Sequence, residues 1–159
     1  MKACMLGYSV DRIAEIADRL FDLDESFVGK ARVEGGWSRK EILGHLCDSA
    51  NVNQQRIIES VLGGSIVFEG YAHRDWVRMN GYQGADWEEL VTLWGACTMQ
   101  LCVLVDGLDD AVVEREHAEH SYATTAFREL PADVPSTLGY LIEDFFAHLE
   151  YHMAQILED

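Results

Sequence analysis

Four stretches of this sequence repeat apolar residues at intervals of three and four, and almost no proline interrupts them. That pattern constrains the fold more than anything else in the chain. From about Ser9 to Leu23, the residues Val10, Ile13, Ala14, Ala17, Leu20 and Phe21 make one stripe of a helix. A second stretch opens at Ser38, a good N-cap with Glu41 three residues on, and runs to about Leu62, where Gly63 and Gly64 stop it. A third follows Asp86, with Glu89 three residues later, and carries Leu90, Leu93, Trp94, Cys97, Leu101 and Leu104 on one face up to Gly107. The fourth begins near Ser136, after Pro135, and continues through Leu138, Leu141, Ile142, Phe145, Leu149 and Ile156. With 159 residues, 48% of them apolar and 2 prolines, the chain fits one all-α domain with a sizeable core. The reading is a single four-helix bundle over residues 1–159 with two decorated crossovers. One crossover, Ser65 to Ala85, is rich in aromatics and is expected to hold a short helix around Asp75 to Met79. The other, Asp109 to Val134, has no clean period. Long irregular connections in a compact domain often serve as lids or substrate walls.

Charge narrows the partners. Twelve Lys and Arg stand against 28 Asp and Glu, a formal charge of −16. Such a surface repels phosphate backbones and anionic lipid, so neither nucleic acid nor membrane is expected. No run approaches the roughly 20 consecutive apolar residues of a membrane span, and the start MKACMLGYSV is too brief for a signal-peptide core. A cytoplasmic location is the expectation. The four cysteines, Cys4, Cys47, Cys97 and Cys102, make no C-x-x-C pair and read as buried thiols in a reducing compartment.

Chemistry points to the histidines. His148 and His152 are four residues apart in the fourth helix, which puts both rings on one face, about 5–6 Å apart at Cβ. Such a pair arises by chance in roughly one chain in five with this many histidines, so its surroundings decide. Leu141, Phe145 and Leu149 flank it, and a buried imidazole needs partners for both nitrogens. His45 lies in the second helix. If the two helices pack face to face, three rings converge and leave part of a metal ion open. Asp144, one turn before His148, and Asp48, one turn after His45, are candidate acceptors for the outer ring nitrogens. Arg56, on nearly the same stripe as His45, reads as the partner of a nearby carboxylate or as an anchor for an anionic substrate group. Tyr71 and Trp76 are candidate cavity walls. Cys47 points to a different face from His45. His117 and His120, among Glu114, Glu116 and Glu119, read as a solvated charged stretch. The same spacings also allow all three site histidines to be ordinary core or surface residues.

The stretches WSRKEILGHLCDSANVNQQRI and TLGYLIEDFFAHLEYHMAQI, with YAHRDWVRMNGYQGADWEEL between them, resemble the DinB/YfiT-like superfamily, in its DinB-like branch. The resemblance runs from about Ser9 to Ile156 and rests on Trp37-Ser38, Gly44-His45-Leu46, Asp48-Ser49 and the late H-x-x-x-H. It implies an up-down four-helix bundle with a divalent metal on His45, His148 and His152. An all-imidazole set suits zinc or nickel first, with iron or copper also accommodated, and suits magnesium or calcium poorly. It further implies an enzyme, either a transferase using a low-molecular-weight thiol and a small electrophile or a metal-dependent hydrolase. A non-catalytic metal-binding stress-response module is the alternative. Relatives often pair, so a homodimer is expected. The chain departs from the family in Ala72-His73-Arg74, where an acidic or Gln run is usual before the Trp-Val pair. His73 is therefore a candidate polar group at the mouth of the site, or else an exposed loop histidine.

Overall fold

The computed structural model describes residues 7–158 and is helical throughout, with no β-strand among the described residues. Cys4 and the opening stretch read above lie largely outside them. Helix α1 spans Val10–Phe21 and α2 Glu25–Val28. The long α3 spans Arg39–Gly63, α4 His73–Asn80, and a 3-10 turn follows at Tyr82–Gly84. Helix α5 covers Trp87–Asp106, α6 Asp110–Val113, α7 Tyr122–Thr125 and α8 Leu138–Leu157.

The long helices start and stop for the reasons written in their sequence. Ser38 and Glu41 form a reciprocal capping box: the Glu41 N–H donates to Ser38 Oγ at 3.2 Å and the Ser38 N–H to Glu41 Oε2 at 2.9 Å. Gly64 ends α3 in the left-handed region at φ 71°, its N–H donating to Ser60 O at 2.8 Å. Asp86 caps α5 and Thr137 caps α8 by accepting N–H groups three residues on.

The four-helix bundle expected from the sequence is what forms, from α1, α3, α5 and α8. Helix α5 packs between α1 and α3, and α3 between α5 and α8. Tyr8 stacks on Phe146 at 4.6 Å and closes the ring between the α1 and α8 sides. Side-chain ties fix the directions. Trp87 Nε1 donates to Leu20 O at 2.7 Å, joining the start of α5 to the end of α1. Arg39 at the start of α3 donates to Ile156 O at the end of α8. Lys40 donates to Ala85 O at 2.6 Å, and further along Cys97 meets Asn51, so α3 and α5 run in the same direction. The 64–86 connection makes this geometry: it carries the chain back to the level of Ser38 before α5 begins.

Helix α5 is, by length and composition, apolar enough to cross a membrane, which a count of consecutive apolar residues did not bring out. Its position explains the composition. With neighbours on two sides it buries Leu90, Val91, Trp94, Leu101, Cys102 and Val105, leaving Leu93 and Val103 outside. The crossover 107–137 is braced internally. His117 and Ser136 exchange both backbone hydrogen bonds, at 2.8 and 3.0 Å. His120 does not sit in a solvated stretch as expected. It is buried, with Val134 O on Nε2 at 2.7 Å and the Tyr122 N–H on Nδ1 at 3.1 Å.

Candidate metal centre

The register of α3 against α8 is set at their ends. Arg39 Nε donates to Ile156 O at 3.1 Å and its Nη2 to Glu158 O at 3.3 Å, filling carbonyls that a helix terminus leaves open. Its guanidinium lies 3.8 Å over the Phe27 ring. From that tie, His45 is six residues on, about 9 Å along α3. His152 and His148 are four and eight residues back, about 6 and 12 Å along the antiparallel α8. The three histidines therefore meet at one level.

The rings converge closely. Their centroids are 5.0 Å apart for His45–His148, 5.1 Å for His45–His152 and 4.6 Å for His148–His152. One ring nitrogen from each lies within 4.8 Å of the others. His45 Nε2 and His148 Nε2 are 3.1 Å apart, close to the roughly 3.3 Å that separates two imidazole nitrogens on one tetrahedral zinc. At His152 the outer nitrogen indicates the tautomer. His152 Nδ1 is 2.7 Å from Gln155 Oε1, an acceptor, so it carries the proton and leaves Nε2 as a lone pair. His148 Nδ1 faces Ser49 Oγ at 3.4 Å, and His45 Nδ1 is buried without a partner. Burial first, and the neighbouring imidazoles second, push His45 and His148 down to about 3 and lower His152 as well. Three neutral rings with converging nitrogens are a donor set that fits a divalent cation.

These rings form one end of an open cavity of about 370 Å³. Trp37 lies against His45, centroids 5.0 Å apart, and Phe127 covers His148 at 5.2 Å. His73 approaches His45 edge-on at 5.7 Å. The inner stripe of α3 lines the rest: His45, Ser49, Asn53 and Arg56 follow at steps of four, four and three, and all are buried.

The other residues singled out by sequence have mixed positions. Asp144 does not reach His148. Its two oxygens accept the backbone N–H groups of Phe127 at 2.8 Å and Arg128 at 2.7 Å. Asp48 faces away from the cluster, with Oδ1 accepting from Tyr82 OH at 2.7 Å and Asn80 Nδ2 at 2.9 Å. Its Oδ2 is buried without a partner, and burial raises its pKa. Both carboxylates are short and lie on turns whose other neighbours offer them donors nearer than an imidazole. Arg56 has no carboxylate partner among the ion pairs of the described residues; it donates to Glu69 O at 2.7 Å and lines the cavity. Tyr71 is a wall, with Ser49 in hydrogen-bonding reach of its hydroxyl and burial raising it to about 12. Trp76 is not among the lining residues; it packs edge-on against Tyr71 at 5.1 Å and is 40% exposed. His73 is exposed yet borders the cavity. Cys47 is buried against other elements, with its thiol pushed up by burial.

Sequence reasoning gave no role at the site to Ser49, Gln155, Phe127 or Tyr82. Ser49 and Gln155 carried a usable signal, one turn from His45 and His152. Phe127 carried none, since the crossover places it. Tyr82 packs on the backbone of α3 away from the cluster: a Cβ on Gly44 would lie 2.1 Å from its ring, so glycine is what admits the ring there.

No curated protein matches the sequence. The structure is similar to that of YfiT from Bacillus subtilis, described as a probable metal-dependent hydrolase with an unusual four-helix bundle topology. The two share 19% identity with a TM-score of 0.73, over 94% of this chain and 82% of that one, which establishes a common fold. The DinB superfamily model matches residues 10–156, which takes in all three histidines and both helices that carry them. This chain belongs to the DinB superfamily.

Proposed function

We propose that the protein is a divalent-metal-dependent enzyme that joins a low-molecular-weight thiol to a small electrophile. His45, His148 and His152 would hold the ion, with zinc or nickel the best match to three imidazoles. A bound ion would lower the pKa of a thiol brought to it, making thiolate available at neutral pH. The chain supplies the rest. Trp37 and Phe127 shield the cluster from water, Ser49 and Gln155 orient the rings, and the cavity holds both reactants in one place.

The state of the carboxylates carries this reading. Among the described residues Asp144 is the one acidic side chain lining the cavity, and both its oxygens already accept backbone N–H groups. Hydrolysis asks for a general acid–base group to pass a proton to the leaving group, even where a metal brings bound water from 15.7 down to about 7. A thiol starts near 8.5 and needs no such group. The second reading is hydrolysis, favoured by the description of YfiT and by His73, an imidazole on the cavity wall whose ring lies edge-on to His45 at 5.7 Å.

The test loads the protein with zinc or nickel and assays glutathione and cysteine against monochlorobimane, alongside a panel of esters and amides without thiol. Thiol conjugation that His148→Ala abolishes and His73→Ala spares supports transfer. Thiol-independent ester or amide cleavage that His73→Ala abolishes assigns hydrolysis instead. Stoichiometric metal with no turnover in either panel leaves a binding module, and absence of metal uptake overturns both enzymatic readings.

A further inference from the structure

The end of the cavity away from the histidines holds a buried cation with no anionic partner among the described residues. Arg56 is 6% exposed, and among those residues its guanidinium makes one hydrogen bond, from Nη2 to Glu69 O at 2.7 Å. Phe68 lies beneath it at 5.4 Å. A guanidinium has five N–H donors in a planar fork suited to a carboxylate, so most of that fork is open to the cavity. Burying such a group unpaired is costly, and natural structures nearly always supply a counter-ion. Here Asp144, the acidic residue on the cavity wall, is taken up by Phe127 and Arg128. The setting sharpens the contrast, because the chain as a whole carries a charge of −16.

We infer that the cavity binds a small organic monoanion, whose carboxylate pairs with Arg56 while its reacting end lies at the histidine cluster. This deepens the reading of the cavity as a substrate site and rests on it. The α3 stripe gives the ligand its length. Positions 45 and 56 are eleven residues apart, about 16 Å along the axis, and helical side chains lean towards the N-terminus. Both side chains lean the same way, and the arginine is the longer, so the gap from guanidinium to imidazoles is somewhat shorter than that rise and within reach of a short chain. Ser49 and Asn53 lie along it as polar contacts, with Asn53 already oriented by donating to Ser49 O at 2.9 Å. Arg56 is the buried cation of the wall and balances one negative charge, whereas Arg74, which also lines the cavity, is exposed and lies over Trp37 beside the histidines.

Hexanoate and its neutral counterpart hexanamide are the probes, titrated calorimetrically into zinc-loaded and metal-stripped protein. Wild type is expected to bind hexanoate about tenfold or more tightly than hexanamide in both states. Arg56→Gln should bring the two to within about twofold while leaving zinc uptake unchanged, and Arg56→Lys should keep part of the preference. Scoring the metal-stripped protein separates this inference from the metal assignment: failure of zinc uptake overturns that assignment alone. Equal binding of the two probes by wild type overturns the inference. So does a preference that appears only with zinc bound, or one that survives unchanged in Arg56→Gln. If the Gln variant does not fold, the wild-type comparison in the two metal states still decides.

Discussion

The Asp144 carboxylate accepts the N–H of Phe127 at 2.8 Å, and through that bond it holds an aromatic ring 5.2 Å from His148 without touching the histidine itself. Asp144→Asn keeps one carbonyl acceptor but turns an amide NH2 towards the other backbone donor. The expected cost is about 1–3 kcal/mol. Hydrogen exchange at 126–130 should accelerate while metal stoichiometry stays the same. Unchanged protection in that segment would show that the loop is held by something else.

Gly44→Ala should destabilise the fold despite alanine's better helix propensity, worth about 1 kcal/mol. The added Cβ meets the Tyr82 ring at 2.1 Å, and that ring is anchored by its hydroxyl on Asp48 at 2.7 Å. Overpacking of this kind costs about 1–3 kcal/mol. Urea denaturation checks the sign, and a midpoint at or above wild type rules the clash out.

Asp48 gives a pH signature. Its folded pKa is raised above 3.8, so between 3.8 and the raised value the native state holds a proton that the unfolded chain has released. The contribution is favourable below that window and is lost as pH rises through it. Asp48→Asn keeps an acceptor for Tyr82 and Asn80 and removes the buried charge. The variant should be at least as stable as wild type at pH 7, and the gap should close on acidification towards pH 4. Paired thermal melts from pH 4 to pH 7.5 measure it; a gap that widens on acidification contradicts the burial of a charged Asp48.

Metal binding should appear as stability. An ion that binds only the folded state adds about 2.7 kcal/mol at a hundredfold excess over its Kd. His148→Ala removes one of three ring nitrogens lying within 4.8 Å of one another. Its Tm should no longer respond to zinc or to chelator, while its circular dichroism stays helical. A full zinc response in the variant would remove His148 from the ligand set.

The sequence made the bundle legible because its helices announce themselves locally, through the Ser38–Glu41 box, the Gly63-Gly64 stop and the apolar stripes. The convergence of three histidines was also legible, since two shared a face and the third lay on a helix of the right kind. What escaped was set at long range. The common direction of α3 and α5 depends on where the 64–86 connection returns, which Lys40 and Ala85 reveal only once they meet. The partners of Asp48 and Asp144 come from other parts of the chain, so helical spacing from the histidines pointed each carboxylate the wrong way. Arg56 was readable as a charged group on the right stripe; that it lacks a carboxylate became visible only in three dimensions.

The return of the chain between α3 and α5 divides the labour of the polypeptide. The imidazoles belong to the scaffold helices, whereas Tyr71 and His73 come from the returning segment and Thr124 and Phe127 from the second crossover. Substitutions in those two excursions can reshape what is admitted while the ligating rings keep their places. A lineage built on this plan is free to change its diet without relearning how to fold.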